Sequence, residues 1–159
     1  MDTRELQQYL HEHIPLSQAM CVEALAATVE GVTLSAPLAP NINHRETVFG
    51  GSAAALAILS AWSLLHLRLQ EENLNSRLVI HRSAMDYERP ITEAFTSSSA
   101  IPDETTWLKF MNTLRRKQRA RISVIAVLHC KEERVAQFEG EFVALLMQSR
   151  NVDEPQSNR

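Results

Sequence analysis

Glycine and cysteine are both scarce in this chain: four glycines and two cysteines occur among 159 residues. Cys21 and Cys130 form neither a disulfide framework nor a metal-ligand motif, so we interpret them as thiols in a reducing compartment. Positive charge is not in excess either, because the formal net charge is −3. That charge argues against general nucleic-acid binding, which needs a broad basic surface.

Long hydrophobic runs are also missing. Residues 53–65 are apolar apart from two serines, but this run is shorter than the roughly 20 residues that a membrane span requires. Residues 1–15 contain no apolar run that would suit a signal peptide. We therefore expect a cytoplasmic protein that does not enter a membrane, with one domain at 1–147 and a polar, disordered tail at 148–159.

Hydrophobic spacing divides the chain into helical and strand-like segments. The predicted elements are a helix at 3–13 ended by Pro15, a strand hairpin within 19–38, a helix from about 50 to 70, a strand pair at 77–88 and 92–101, a short helix at 103–114, and a hairpin of 120–128 with 135–146. The serines at 97–99 are expected to be strand positions that face water.

The helix at 50–70 has no polar face before His66, Arg68 and Gln70. A helix that is apolar on every side is buried on every side. Six strands, mostly joined as hairpins, therefore predict an α+β fold: a curved antiparallel six-stranded sheet wraps around one long buried helix, with a short N-terminal helix and a second short helix. The sheet keeps an open edge, so we expect a homodimer, with tetramers as a further option.

Two of the four glycines lie together where a polar, turn-forming loop meets the long helix. The loop occupies residues 39–49, and Gly50-Gly51-Ser52 opens the helix. A helix N-terminus presents unpaired backbone N–H groups. Such donors suit a negatively charged or polarised oxygen.

The segments 40–44 (PNINH) and 47–52 (TVFGGS), with the helix that follows to Trp62, resemble the hot-dog superfamily of acyl-thioester enzymes. More closely, they resemble a thioesterase domain that some bacteria carry alone or behind an acetyltransferase domain. Residues 86–91 (DYERPI) are similar to an element that crosses the sheet in many hot-dog chains. The resemblance covers about 16–147, and the standalone form is expected because no acetyltransferase domain precedes it.

The resemblance implies that Asn43 faces the thioester and that Gly51 supplies the backbone donor. It also implies that nearby residues contact the substrate: Asn41, His44, Phe49, Gly50 and Ser52. Each of the polar ones has a simpler explanation. Asn41 and Asn43 are typical of Asx turns, His44 of a solvated loop, and Ser52 of a helix cap; we favour function for Asn43 and give the turn at least equal weight for Asn41.

Two positions depart from the pattern that the resemblance implies. Related thioesterases usually have histidine before the glycine pair and an acidic residue two turns into the helix, where this chain has Phe49 and Ile58. Hydrolysis needs a base for water, and His44, Glu46 or an acid of a dimer partner are the candidates. Decarboxylation of a malonyl thioester needs only stabilisation of the enolate.

Three functions therefore stay open: thioester hydrolysis, malonyl-thioester decarboxylation in support of fatty-acid synthesis, and a catalytically silent module that binds acyl thioesters or dimerises. The implied substrates are thioesters of coenzyme A or acyl carrier protein. They carry their own coenzyme A or phosphopantetheine, so no separate cofactor and no metal are expected.

A basic cluster follows the second short helix, with five cations between residues 115 and 121. One interpretation is a helix C-terminus whose dipole favours cations. The other is a dock for phosphate or an acidic carrier protein, formed by Arg115, Arg116, Lys117 and Arg119.

Overall fold

A computed structural model of the chain describes residues 1–101 and 103–147. The helices are α1 (Thr3–His13), α2 (Pro15–Ala19), α3 (Gly50–Glu71) and α4 (Glu104–Lys117), with a 3-10 turn at Ala39–Asn41. The strands are β1 (Glu23–Ala27), β2 (Gly31–Ala36), β3 (Ser76–Tyr87), β4 (Phe95–Ala100), β5 (Arg119–Cys130) and β6 (Glu133–Leu146). The predicted tail at 148–159 lies outside the described residues.

All six strands form one antiparallel sheet in the order β1-β2-β4-β5-β6-β3. Helix α3 packs against one face of the sheet and contacts β2 to β6, while α4 lies on β5 and β6. The predicted α+β fold, with a curved sheet around one long helix, is confirmed.

The predicted pairing of segment 77–88 with segment 92–101 is wrong. Strand β3 pairs with β6, where Val79 lies opposite Val143, and β4 lies between β2 and β5. Side-chain alternation determines which face of a sheet a residue occupies, but it does not determine the neighbouring strand. That choice depends on contacts between segments that are distant in the chain.

Two of the three serines in β4 face the core, so their predicted exposure to water is also wrong. Ser97 and Ser99 are buried. The Ser60 and Ser97 hydroxyls lie 2.7 Å apart, and Ser99 Oγ donates to the Ser60 carbonyl at 2.8 Å. Hydroxyls that satisfy one another can be buried at little cost, so these small side chains let α3 approach the middle of the sheet.

The N-terminal segment forms two helices rather than one. Asp2 caps α1 through a capping box with Glu5, with both hydrogen bonds at 2.8 Å. Helix α1 ends before Pro15 as expected, but Pro15 then starts α2, since a proline fits the first turn of a helix. The first strand consequently begins at Glu23 rather than near Ala19.

Helix α1 covers the outer edge of β1. Gln7 Oε1 accepts from the Ala24 N–H at 3.1 Å, and His11 Nε2 lies 2.8 Å from the Val22 carbonyl oxygen. Side chains that satisfy an edge prevent it from pairing with another strand. Helix α1 therefore covers the start of this edge strand.

Helix α3 is buried over much of its surface, but not on every side. By length and apolar composition it would suit a membrane span, yet most of it lies inside the protein. Its first half carries a stripe formed by Ala55, Ile58 and Trp62, whose side chains are only half-buried. The expectation that the helix is buried on every side therefore fails along this stripe.

Candidate functional site

Asn43 holds together the loop that precedes α3. Its Oδ1 accepts from the Arg45 and Thr47 N–H groups at 2.8 and 3.2 Å, while its Nδ2 donates to Thr47 Oγ1 at 3.0 Å. The side chain thus forms the Asx-type turn that the sequence allowed. An amide nitrogen carries two N–H groups, so one donor is left over from a side chain whose orientation is fixed.

Asn41 has a different environment. Only 2% of its surface is exposed, and its Nδ2 donates to the Met20 and Pro37 carbonyls at 3.0 and 2.7 Å. Its own carbonyl accepts from the Phe49 N–H at 2.8 Å. Because both amide hydrogens are in use, we interpret Asn41 as the anchor that joins the loop to the N-terminal segment and to the start of α3.

The first turn of α3 has no side-chain cap. Phe49 is the N-cap residue, and its carbonyl accepts from the Ser52 and Ala53 N–H groups at 2.9 and 3.2 Å. The predicted capping role of Ser52 is therefore wrong. The N–H groups of Gly50 and Gly51 have no acceptor among residues 1–101 and 103–147, which leaves two free donors at the positive end of the helix dipole.

The Phe49 ring lies across Gly51. A Cβ atom added to Gly51 would come within 2.3 Å of Phe49 Cε1, so this position accepts only hydrogen while the ring stays in place. Phe49 is itself 58% exposed. A large apolar ring therefore stands beside the two free donors.

A cleft of about 350 Å³ opens beside the helix start, next to Gly50. The remaining lining residues are Thr47, Val48, Ala53, Tyr87, Glu88, Arg89, Pro90 and Ile91. Tyr87 Oη donates to the Gly50 carbonyl at 3.0 Å, and the Val48 N–H donates to the Ile91 carbonyl at 2.8 Å. Neither Asn43 nor Gly51 lines this cleft.

Tyr87 and Glu88 are site residues that sequence reasoning missed, although the segment 86–91 contained the signal. Arg134 holds the Glu88 carboxylate: its Nε lies 3.1 Å from both oxygens and its Nη2 lies 2.6 Å from Oε1. Glu88 therefore provides an oriented carboxylate at the cleft, whereas the first turn of α3 provides none.

His44 and Ile58 are not among the residues that line the cleft. His44 is exposed, and Ile58 is half-buried on the stripe of α3. The first turn of α3 contains no acidic residue. Within the described ranges, no group of three or more His, Cys, Asp or Glu side chains is arranged to hold a metal ion.

The basic cluster lies near the opposite end of α3. Arg115 Nη2 donates to Glu72 Oε2 at 2.5 Å, and Glu72 is the C-cap residue of α3. At 1.5 Å per residue, a helix of 22 residues is about 33 Å long. Within one chain, the cluster and the Gly50-Gly51 donors are therefore separated by most of the length of the domain.

Comparison with known proteins places these features in one family. A family model described as "Putative thioesterase (yiiD_Cterm)" matches residues 3–146. A protein of unknown function from Chlorobaculum tepidum is 30% identical with a TM-score of 0.85, and the match covers 91% of this chain and 94% of that one. A "putative thioesterase" from Shewanella oneidensis is 31% identical with a TM-score of 0.80, covering 90% and 96%.

A thioesterase from Haemophilus influenzae is only 12% identical, yet its TM-score is 0.75 over 95% of both chains. At that identity the likeness shows the shared fold alone. With nearly the whole of the described chain matched by the family model, this hot-dog protein belongs to the thioesterase family that the model describes.

Proposed function

We propose that this protein hydrolyses acyl thioesters of coenzyme A or acyl carrier protein. The observation that carries the proposal is the pair of free N–H donors at Gly50 and Gly51. A thioester carbonyl oxygen placed there would accept hydrogen bonds that strengthen as it becomes an oxyanion. We propose the spare N–H of Asn43 as a third donor from the loop, held in its orientation by the bonds to Thr47 and Arg45.

We propose Glu88 as the base, since it is the one carboxylate among the residues lining the cleft beside Gly50. In this scheme, Glu88 takes a proton from water while the water oxygen bonds to the carbonyl carbon. The tetrahedral intermediate then collapses, the carbon–sulfur bond breaks, and the proton passes to the leaving thiolate. Arg134 keeps the carboxylate oriented throughout.

The test is to incubate the protein with acyl and malonyl thioesters and to identify the products by mass spectrometry. Hydrolysis yields free acid and thiol. Asn43→Ala should lower the rate by about 10²–10³-fold if its amide stabilises the oxyanion, and Glu88→Gln by about 10²–10⁴-fold if it is the base. Glu104→Gln is the matched control, because Glu104 also pairs with an arginine, Arg68, at 3.0 Å and does not line the cleft. A full hydrolysis rate in both site variants would contradict the proposal.

A second candidate is decarboxylation of a malonyl thioester. The observation that favours it is the absence of a carboxylate at Ile58 and in the first turn of α3. Loss of CO₂ leaves an enolate, which the same N–H donors would stabilise, and no base is needed. An acetyl thioester as product would support this reaction, whereas binding without any product would support the silent module.

We further propose a homodimer formed through β3. This strand of 12 residues pairs on one side only, with β6. The other edge strand, β1, also makes a side-chain contact with α1, through Gln7. The exposed apolar residues of β3 include Val79, Ile80 and Tyr87, and Trp62 Nε1 satisfies one of its carbonyls, that of Leu78, at 3.2 Å. Antiparallel pairing of two β3 strands about a two-fold axis would satisfy such an edge. Sedimentation should therefore show a dimer.

The dimer offers a role for the basic cluster. Arg77 and Arg119 lie opposite the same β6 residue, Leu145, so β3 starts at the basic end of the sheet. Antiparallel pairing about the middle of β3 would bring that end of the partner subunit towards Tyr87. We propose that the cluster of one subunit binds the carrier or phosphate for the site of the other.

This role predicts that Arg115→Glu with Arg116→Glu raises the KM for the carrier-linked substrate. Increasing salt should have the same effect on the unchanged protein, because exposed charges are screened. An unchanged KM would remove the cluster from the proposal without affecting the reaction itself.

A further inference from the structure

We infer that the half-buried stripe of α3 binds the acyl chain of the thioester, and that the groove over it selects chains of about eight to twelve carbons. The inference rests on the proposed function, since it takes the carbonyl to lie at Gly51. The groove has a volume of about 250 Å³ and is lined by Ile14, Leu16, Ala55, Ile58, Leu59 and Trp62. It is distinct from the cleft beside Gly50.

The groove lies along the same face of α3 as the proposed carbonyl site. Gly51, Ala55, Ile58 and Trp62 follow one another at spacings of four, three and four residues, so they lie on one face of the helix. Phe49 covers Gly51 at the start of this row. An acyl chain whose carbonyl oxygen accepts from the Gly51 N–H would pass this ring and lie along the row.

The chemistry of the walls fits an alkyl chain. All six lining residues have apolar side chains, and the single polar atom among them, Trp62 Nε1, already donates to the Leu78 carbonyl at 3.2 Å. Leu16, from α2, is 56% exposed at the rim. No lining side chain offers a charge or a free donor to a polar ligand, whereas each methylene that leaves water for these walls gains free energy.

The length of the groove sets the number of carbons. From Ala55 to Trp62 the helix rises about 10 Å, and an extended chain advances about 1.2 Å per bond, so roughly eight bonds fit along it. Gly51 lies about 6 Å further back along the helix. A 150 Å³ cavity holds the six carbons of benzene, so about 250 Å³ suits ten carbons.

Trp62 is the lining residue farthest from Gly51 along α3, and we infer that it ends the groove. Its ring stacks on His66 with centroids 4.6 Å apart, and His66 in turn stacks on Tyr9 at 5.0 Å. Because rings from two helices stack together, the Trp62 side chain is held in position and should not move aside for a longer acyl chain. Chains beyond about twelve carbons should therefore gain no further affinity.

Binding can be measured without catalysis by using S-alkyl thioethers of coenzyme A, which cannot be hydrolysed or decarboxylated. Trp62 and Trp107 are the two tryptophans of the chain, so Trp107→Phe leaves Trp62 as the single reporter. We expect its emission to change on binding S-decyl-CoA, with affinity rising about two- to fourfold per methylene from butyl to decyl and levelling off by dodecyl. Affinity independent of chain length would overturn the inference.

A variant series places the chain in this groove. Ala55→Leu should reduce the ratio of decyl to butyl affinity, because the larger side chain fills the entrance. Leu108→Ala is the control: Leu108 is 55% exposed on α4, away from the groove. An unchanged ratio in Ala55→Leu would place the chain elsewhere.

Three outcomes separate the groove from the function and from dimerisation. If S-decyl-CoA binds as expected but no thioester is processed, the groove stands and the proposed reaction fails. If thioesters are hydrolysed without regard to chain length, the reaction stands and the groove fails. If Leu16→Arg converts the dimer to monomers and S-decyl-CoA dissociates the dimer in the same way, the groove is a subunit interface and the inference is overturned.

Discussion

Replacement of Asn41 by alanine tests whether this side chain anchors the site loop rather than acting on substrate. The substitution removes the donors of two hydrogen bonds, to the Met20 and Pro37 carbonyls. A typical intramolecular hydrogen bond contributes about 1–1.5 kcal/mol, so the two together contribute about 2–3 kcal/mol. Asn41 Oδ1 is buried without a partner among the described residues, and its removal offsets part of this loss.

The expected result is a lower free energy of unfolding by about 2 kcal/mol. In a domain of this size that corresponds to a fall in Tm of about 4–8 °C. Asn41→Asp should be worse than Asn41→Ala, because it places carboxylate oxygens against two carbonyl oxygens. Circular dichroism during heating and urea titration would measure both, with Asn112→Ala on the exposed face of α4 as the control.

Activity per folded molecule separates anchoring from catalysis. Below its Tm, the folded Asn41→Ala protein should keep most of its activity, whereas Asn43→Ala should lose it with a smaller change in stability. A Tm within 1 °C of the unchanged protein would show that water replaces both hydrogen bonds. The interpretation of Asn41 as an anchor would then be refuted.

Two further predictions concern α3. Gly51→Ala should change the free energy of unfolding by less than about 1 kcal/mol, since alanine favours a helix. The added methyl group must displace the Phe49 ring, however, so kcat should fall by about tenfold or more. An unchanged kcat would show that the ring has no part in the site. Burial, and secondarily the charge of His13, lower the pKa of His66 below 6.5. The unfolded chain then binds more protons than the folded one as the pH falls from 6.5 towards the folded pKa, so stability is complete above 6.5 and declines across that window. His66→Phe keeps the ring stacking but removes the group that takes up a proton. The urea midpoint of this variant should therefore fall less between pH 7.5 and 5.5 than that of the unchanged protein. An equal fall in both proteins would contradict the assignment of this pH dependence to His66.

The architecture was largely predictable because it depends on local patterns. The apolar run of α3 and the alternation in β5 and β6 predicted the helix and its sheet without any knowledge of contacts. Strand order was not predictable, because β3 and β4 are adjacent in the chain but bind different neighbours. The inward-facing Ser97 and Ser99 were missed for a related reason: a hydroxyl that meets Ser60 is buried at little cost, but only the fold brings them together.

The candidate site divides in the same way. The glycine pair after a polar loop predicted a helix start with free N–H groups, and that prediction needed only the rules of helix termini. The different environments of Asn41 and Asn43 depended on which carbonyls lie within reach. Tyr87, at the end of β3, and Glu88, which follows it, lie beside Gly50. Tyr87 is 37 residues from Gly50 in the sequence, so local patterns could not predict this contact.

By itself, the sequence determined the long apolar helix, the alternating strands and the Gly50-Gly51 junction, because each follows from interactions within a few residues. Tertiary structure decided the strand order, the buried anchor at Asn41, the carboxylate beside the helix start and the half-buried stripe over Ile58. Those features depend on which distant segments come into contact when the core packs. The spacing of residues along one segment does not determine those contacts.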